Sequence, residues 1–216
     1  MTKGNRMPKI GMEPVRRKAL VDAALKTIGH HGSLSVTMSE IAREAGVSAA
    51  LAHHYFGSKD RLLIETIRSL LRQLRADAVA ALAAAETPHE RISAVIRVSF
   101  QADQFDADVV AAWLAFYSEA QRSEEVRRLL VIYARRLHSN LMSGLRPLCG
   151  TFDAGRIADG AAAMIDGLYI RQSLKAAPLS IDASVALVED YVAGQLASYS
   201  PLEGEGRTAG PGWGEP

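Results

Sequence analysis

The chain has 216 residues, 48% of them hydrophobic and 23% charged, with one cysteine, Cys149. These proportions describe a globular protein able to bury one or two cores, and a single thiol excludes an internal disulfide and fits a reducing compartment. No apolar run reaches the ~18 residues that span a bilayer, and the opening MTKGNRMPKI lacks the apolar segment of a signal peptide, so a cytoplasmic protein is expected.

The net charge of +1 hides a division: residues 1–75 carry 13 Lys/Arg against 6 Asp/Glu, and the remainder carries 12 against 18. The first segment, at +7, suits a polyanion; the second does not. Helical periodicity runs through almost the whole chain, no alternating strand pattern or solenoid repeat is visible, and the reading is an all-α protein of about nine helices. Residues 1–12 read as a flexible basic arm, which Arg16 and Arg17 extend on the first helix. That helix is expected over about 14–31, with Gly32 stopping it. In TMSEIAREAG, Thr37 and Glu40 have capping-box spacing, and the helix they open is short because Gly46 ends it.

Ser48 can cap a further short helix reaching Phe56. Gly57-Ser58 then breaks the chain before a long amphipathic helix over 59–85, and TPHE places Thr87, Pro88 and Glu90 as cap, first position and third position of the next. Further helices are predicted over about 89–103, 106–120, 123–146, 154–176 and 182–199. The segment from 200 to 216 is rich in Gly and Pro without periodicity and reads as disordered. The domain expectation is therefore an arm (1–12), a DNA-binding unit (13–58), a helical domain (59–199) and a tail (200–216).

Two short helices joined by AGVS have the lengths of a helix-turn-helix, whose second helix enters the DNA major groove. Ala52, Tyr55 and Phe56 share one helical face and suit the core, while Ala50, Leu51, His53 and His54 share the other. Small apolar groups on that outer face suit thymine methyls, and imidazoles suit bases or phosphates. Adjacent histidines diverge by about 100° on a helix and cannot grip one ion, so neither His53-His54 nor His30-His31 reads as a metal site. No nucleophile elbow, phosphate-binding loop, HExxH or dinucleotide turn is present, so an enzyme is not expected and no catalytic residue is assigned.

The stretch TMSEIAREAGVSAALAHHYFGSKDRLL resembles the DNA-binding domain of the tetracycline-repressor (TetR) family. The resemblance implies a homodimer, three N-terminal helices on operator DNA, and a C-terminal domain for a small-molecule inducer. Carried over by position, it makes Arg16, Arg17, Thr37, Ser48, Ala49, Leu51, His53, His54, Tyr55 and Lys59 the candidate DNA contacts. Ala50, often Gly, and His53 and His54, often Tyr, depart from the commonest pattern, which leaves the operator sequence open. MPKIGMEPVRR, HHYF, WLAFY, RLHSNL and IDGLYIR further resemble the BetI-type repressors of glycine betaine synthesis from choline.

That closer resemblance implies choline as inducer, no cofactor, and location on the bacterial nucleoid when bound to the operator. A quaternary ammonium is held by aromatic faces. Candidates are Phe100, Phe105, Trp113, Phe116, Tyr117 and Tyr169, with Asp166 as counter-charge; the same aromatic spacing also describes a plain helical core. IDGLYIR and the Ala-rich stretch before it fall in the long helices through which the family dimerises.

Overall fold

A computed structural model describes residues 12–199, apart from 105 and 175–178. Every regular element among the described residues is a helix: α1 (Met12–His31), α2 (Met38–Glu44), α3 (Ala49–Phe56), α4 (Lys59–Ala84), α5 (Pro88–Ser99), α6 (Ala107–Glu119), α7 (Glu124–Ser173) and α8 (Ile181–Ala197). The expected arm and tail lie outside the described residues, apart from Met12 at the start of α1.

Side-chain caps fix most of the starts. Thr37 and Thr87 each accept from the backbone of a glutamate three residues on, at 3.2 Å, and that glutamate reaches back to the cap backbone. The returned hydrogen bond holds the Glu40 carboxyl below the usual range, and at Glu90 the Glu86 N–H does so first, joined by that of Thr87. Ser48, Ser58, Ser123 and Ser180 cap α3, α4, α7 and α8 by accepting from the backbone N–H three residues on, without a returned carboxylate, and Asp106 caps α6. At Gly46, φ is +65°, a left-handed conformation that lets α2 end and α3 leave at a sharp angle.

Two boundaries differ from the sequence expectation. The fifth helix ends at Ser99 instead of about 103, because Phe100 is fully buried and its N–H turns back to the Arg97 carbonyl at 3.1 Å. The seventh and eighth predicted helices form one run, α7, interrupted only at Gly150 (φ 75°, ψ 177°). Gly150, three residues after Pro147, does break the run, but the break occupies one residue where seven were expected.

The buried side chains form two clusters. One joins Leu20, Ala24 and Ile28 of α1 to Ile41, Ala52 and Phe56, then continues through Leu62 and Ile67 of α4 to Phe116 of α6. The DNA-binding unit expected to end at 58 thus shares its core with α4 and α6. The second cluster packs α5, both arms of α7 and α8, around Ile96, Leu141, Ile157, Ile165 and Val188. Cys149 is buried there, a packing residue as expected.

Helix α6 faces both clusters, through Phe116 and Val110 respectively. Its first turn also meets α1 at close quarters: a Cβ added at Gly29 would lie 2.4 Å from the Cβ of Asp108 and 2.5 Å from its Cα. His30 Nε2 stands 3.3 Å from the Asp108 carboxylate beside it. Only a residue without a side chain allows α1 to rest on α6 here.

Candidate functional sites: a helix-turn-helix face and an aromatic cage

In α3, Ala52 and Phe56 are buried and Tyr55 is half-buried against the core, whereas Ala50, His53 and His54 are exposed and Leu51 is half-buried. Val47 packs in the angle between α2 and α3. The His53 Nδ1 lies 3.1 Å from the Gly57 carbonyl. A carbonyl can only accept, so Nδ1 carries a proton, and in that tautomer Nε2 is the acceptor.

The other candidate DNA contacts fall into two groups. Arg16 is half-buried and has no hydrogen bond or ion pair among the described residues, whereas Lys59 reaches the Leu34 carbonyl at 3.4 Å, tying the start of α4 to the loop before α2. The hydroxyl of Thr37 is taken by Glu40, and that of Ser48 accepts from Leu51. Ala49 is half-buried at the first position of α3. Arg17 departs from the expected free arm: its guanidinium donates to the Tyr55 carbonyl at 2.5 Å and lies 4.5 Å over the Phe56 ring. It latches α1 to the end of α3, which a planar donor fork over a ring face does well.

The second constellation lies where α6 meets both arms of α7. Trp113 is buried beside Tyr133, ring centroids 5.1 Å apart, and beside Tyr117 at 6.3 Å. Tyr117 donates to Asp166 at 3.2 Å. Burial, reinforced by the charge of Asp166, pushes the hydroxyls of Tyr117, Tyr133 and Tyr169 well above the usual tyrosine value. Asp166 itself is raised by burial, which its bond from Tyr117 only partly offsets. A half-buried carboxylate therefore stands among tyrosine side chains, bonded to the exposed Tyr117, and among the described residues no cation answers it.

Of the expected cage, Trp113, Tyr117, Asp166 and Tyr169 converge. Tyr169 donates to the Ser99 carbonyl and stacks on Phe100 at 6.1 Å. Phe116 does not join them; it is fully buried in the first core, the plain packing outcome for an aromatic at helical spacing, and Trp113 is buried in that same core while its ring also meets Tyr117 and Tyr133. Phe105 lies outside the described residues. Tyr133 is the residue the sequence reading missed. It continues the row Val126, Leu130, Leu137, Leu141 on the inner face of α7, and an aromatic in such a row was the available signal.

Two buried polar atoms have no partner among the described residues, Trp113 Nε1 and Gln104 Oε1. A buried donor left unpaired costs about 1–3 kcal/mol, so a ligand hydroxyl accepting from Trp113 would recover part of that. Among the described residues no group of three His, Cys, Asp or Glu is placed to hold a metal, and no helix is long and apolar enough to cross a membrane.

Residues 20–66 match the family model of bacterial regulatory proteins of the tetR family, and residues 88–197 match that of the BetI-type transcriptional repressor C-terminal domain. The HTH-type transcriptional regulator BetI of Rhizobium meliloti is 74% identical over 205 residues, covering 95% of this chain and 99% of that protein. The protein of the same name in Brucella melitensis biotype 2 is 58% identical, covering 91% and 100%. A transcriptional regulator of Pseudomonas aeruginosa PAO1 superposes with a TM-score of 0.75 at 27% identity, covering 89% of this chain and 94% of that one. One from Saccharomonospora viridis, solved in complex with choline, superposes with a TM-score of 0.72 at 23% identity, covering 83% and 96%. The exposed face of α3, the helical core behind it and these matches over nearly the whole length place the chain in the TetR family of DNA-binding regulators, which are not enzymes, and within its BetI-type repressors.

Proposed function

We propose that a homodimer of this protein represses genes of choline transport and glycine betaine synthesis in the bacterial cytoplasm, and that choline releases it from the operator. The observation that carries the choline reading is the unanswered carboxylate of Asp166 among Trp113, Tyr117, Tyr133 and Tyr169. A trimethylammonium group has no N–H to donate and a spread positive charge, so ring faces and one half-buried carboxylate suit it better than water-like oxygen ligands. The choline bound in the Saccharomonospora viridis neighbour supports the same ligand.

On DNA, Arg16 and Lys59 contact phosphates, with Thr37 and Ser48 bringing helix starts to the backbone. Ala49, Leu51, His53 and His54 face the groove, and the acceptor Nε2 of His53 suits the amino groups of cytosine or adenine. Arg17 and Tyr55 hold α3 in place from behind. Phe152, Ile170, Leu174 and Leu187 are exposed apolar side chains on the second arm of α7, its cap and α8, where Gly155, Gly167 and Gly194 leave the surface open; these helices form the dimer contact.

Ligand in the cage draws α6 toward α7, and α6 rests on α1 at Gly29, so the recognition helices change spacing. The shift requires choline to favour the DNA-incompetent spacing, since equal affinity for both states moves nothing. The test is calorimetry with choline beside a gel shift on the protein's own promoter. Binding heat and operator release, both lost in Asp166→Asn, support the reading; no heat and no release at millimolar choline overturn it and leave another inducer.

A further inference from the structure

Beside the cage lies a cavity of about 200 Å³ between α4, α5 and the first arm of α7. Its walls are apolar, among them Leu71, Val79, Val98 and Ile132, and Val79 and Ile132 remain exposed to solvent. It adjoins the cage at two residues. Tyr133 lines it while its ring packs on Trp113, and Ser99 lines it while its carbonyl accepts from Tyr169. Arg75 of α4 and Arg136 of α7 also line it, as does Asn140, and among the described residues neither arginine has a hydrogen bond or an ion pair. Arg136 follows Tyr133 by three, so both side chains stand on one face of α7, with Cβ atoms about 5–6 Å apart.

Two unanswered guanidinium groups beside a cation site repel a simple cation. They become favourable when the ligand carries its own anion beyond the ammonium. We infer that the cavity is a second subsite of the inducer site, in which Arg75 and Arg136 take the anionic end of a zwitterionic trimethylammonium ligand whose cationic head sits at Asp166. The inference rests on the cage reading above. It assigns the ligand class: trimethylammonium compounds with a phosphate or carboxylate several bonds from the nitrogen, the spacer lying on the apolar wall. The guanidinium fork matches both anions in two-point geometry.

The test is calorimetry on the full-length protein with choline and with phosphocholine, in wild type and in the Arg75→Ala/Arg136→Ala double variant. Both substitutions are at exposed positions, so the fold is expected to stand, and circular dichroism checks it. Wild type is expected to bind phosphocholine about tenfold to a hundredfold more tightly than choline. The double variant should lose that margin while choline binds as well as before, or better once like charge is removed. Choline binding with no phosphocholine advantage, or an advantage that survives the double substitution, overturns the subsite and leaves the cage standing. Failure of choline and phosphocholine alike overturns the cage and the subsite with it.

Discussion

Gly29→Ala tests the junction between the DNA-binding unit and the inducer domain. The new Cβ would stand 2.4 Å from Asp108 Cβ, 2.5 Å from its Cα and 2.6 Å from its carbonyl oxygen, where ordinary contact begins near 3.4 Å. Two of those three atoms are backbone, so no rotamer change relieves the clash. Helices α1 and α6 must part by about 1 Å, and overpacking of that kind costs about 1–3 kcal/mol. Alanine recovers up to about 1 kcal/mol of helix propensity, leaving a net loss of about 0–3 kcal/mol. For a chain of this length each kcal/mol lowers Tm by about 2–4 °C. His30→Ala is the control: it removes an ion pair that is largely exposed on the histidine side, worth under about 1 kcal/mol, and leaves the spacing alone. Thermal unfolding at fixed protein concentration and operator gel shifts with and without choline are the assays. The Gly29→Ala protein should fold as a dimer, melt earlier, and need a different choline concentration for half-release, with His30→Ala close to wild type. A variant indistinguishable from wild type in both melting and choline response would refute the claim that α6 acts on α1 through this contact.

Choline affinity should depend on pH through Asp166. Burial raises its carboxyl in the folded protein, so the stability this group supplies is full below its unfolded value and is lost as pH rises through the raised folded one. Choline needs the ionised form, so its affinity should climb across that same window with release of a proton, and calorimetry in buffers of different ionisation heat should find Asp166→Asn weak and flat. On DNA, Lys59→Ala should weaken operator and random duplex alike and reduce the salt slope, while His53→Ala should change base preference at one position per half-site. Equal losses on specific and random DNA from both variants would remove α3 as the reading helix. Thr37→Ala removes one half of the capping box and should cost about 1 kcal/mol in denaturant unfolding, with weaker operator binding because α2 supports α3. An unchanged midpoint would mean that Glu40 alone holds that helix start.

Local chemistry made the helices legible. Thr37 with Glu40, Thr87-Pro88 with Glu90, and the turn at Gly46 act over three or four residues, so their geometry is written in the chain, and the outer face of α3 followed from a period of 3.6. The division of charge at residue 75 pointed to a polyanion for the same reason: it needs no knowledge of which helices touch. What the sequence could not sort was which aromatics share a site. Trp113, Phe116 and Tyr117 sit within five residues of one helix, and Trp113 and Phe116 are both buried in the first core, yet only Trp113 lays its ring against Tyr133 and only Tyr117 reaches Asp166, two residues 33 positions apart on the two arms of α7. Helical spacing fixes the angle of a side chain about its own axis but not which neighbour occupies that direction, and the packing of α6 between two cores decided it. The same holds for Arg17, a basic side chain beside a basic arm in sequence, which the approach of α1 to the end of α3 places on Tyr55 and Phe56. Long-range packing also decided that Gly29 must lack a side chain, because the backbone it meets, at Asp108, lies 79 residues further along the chain.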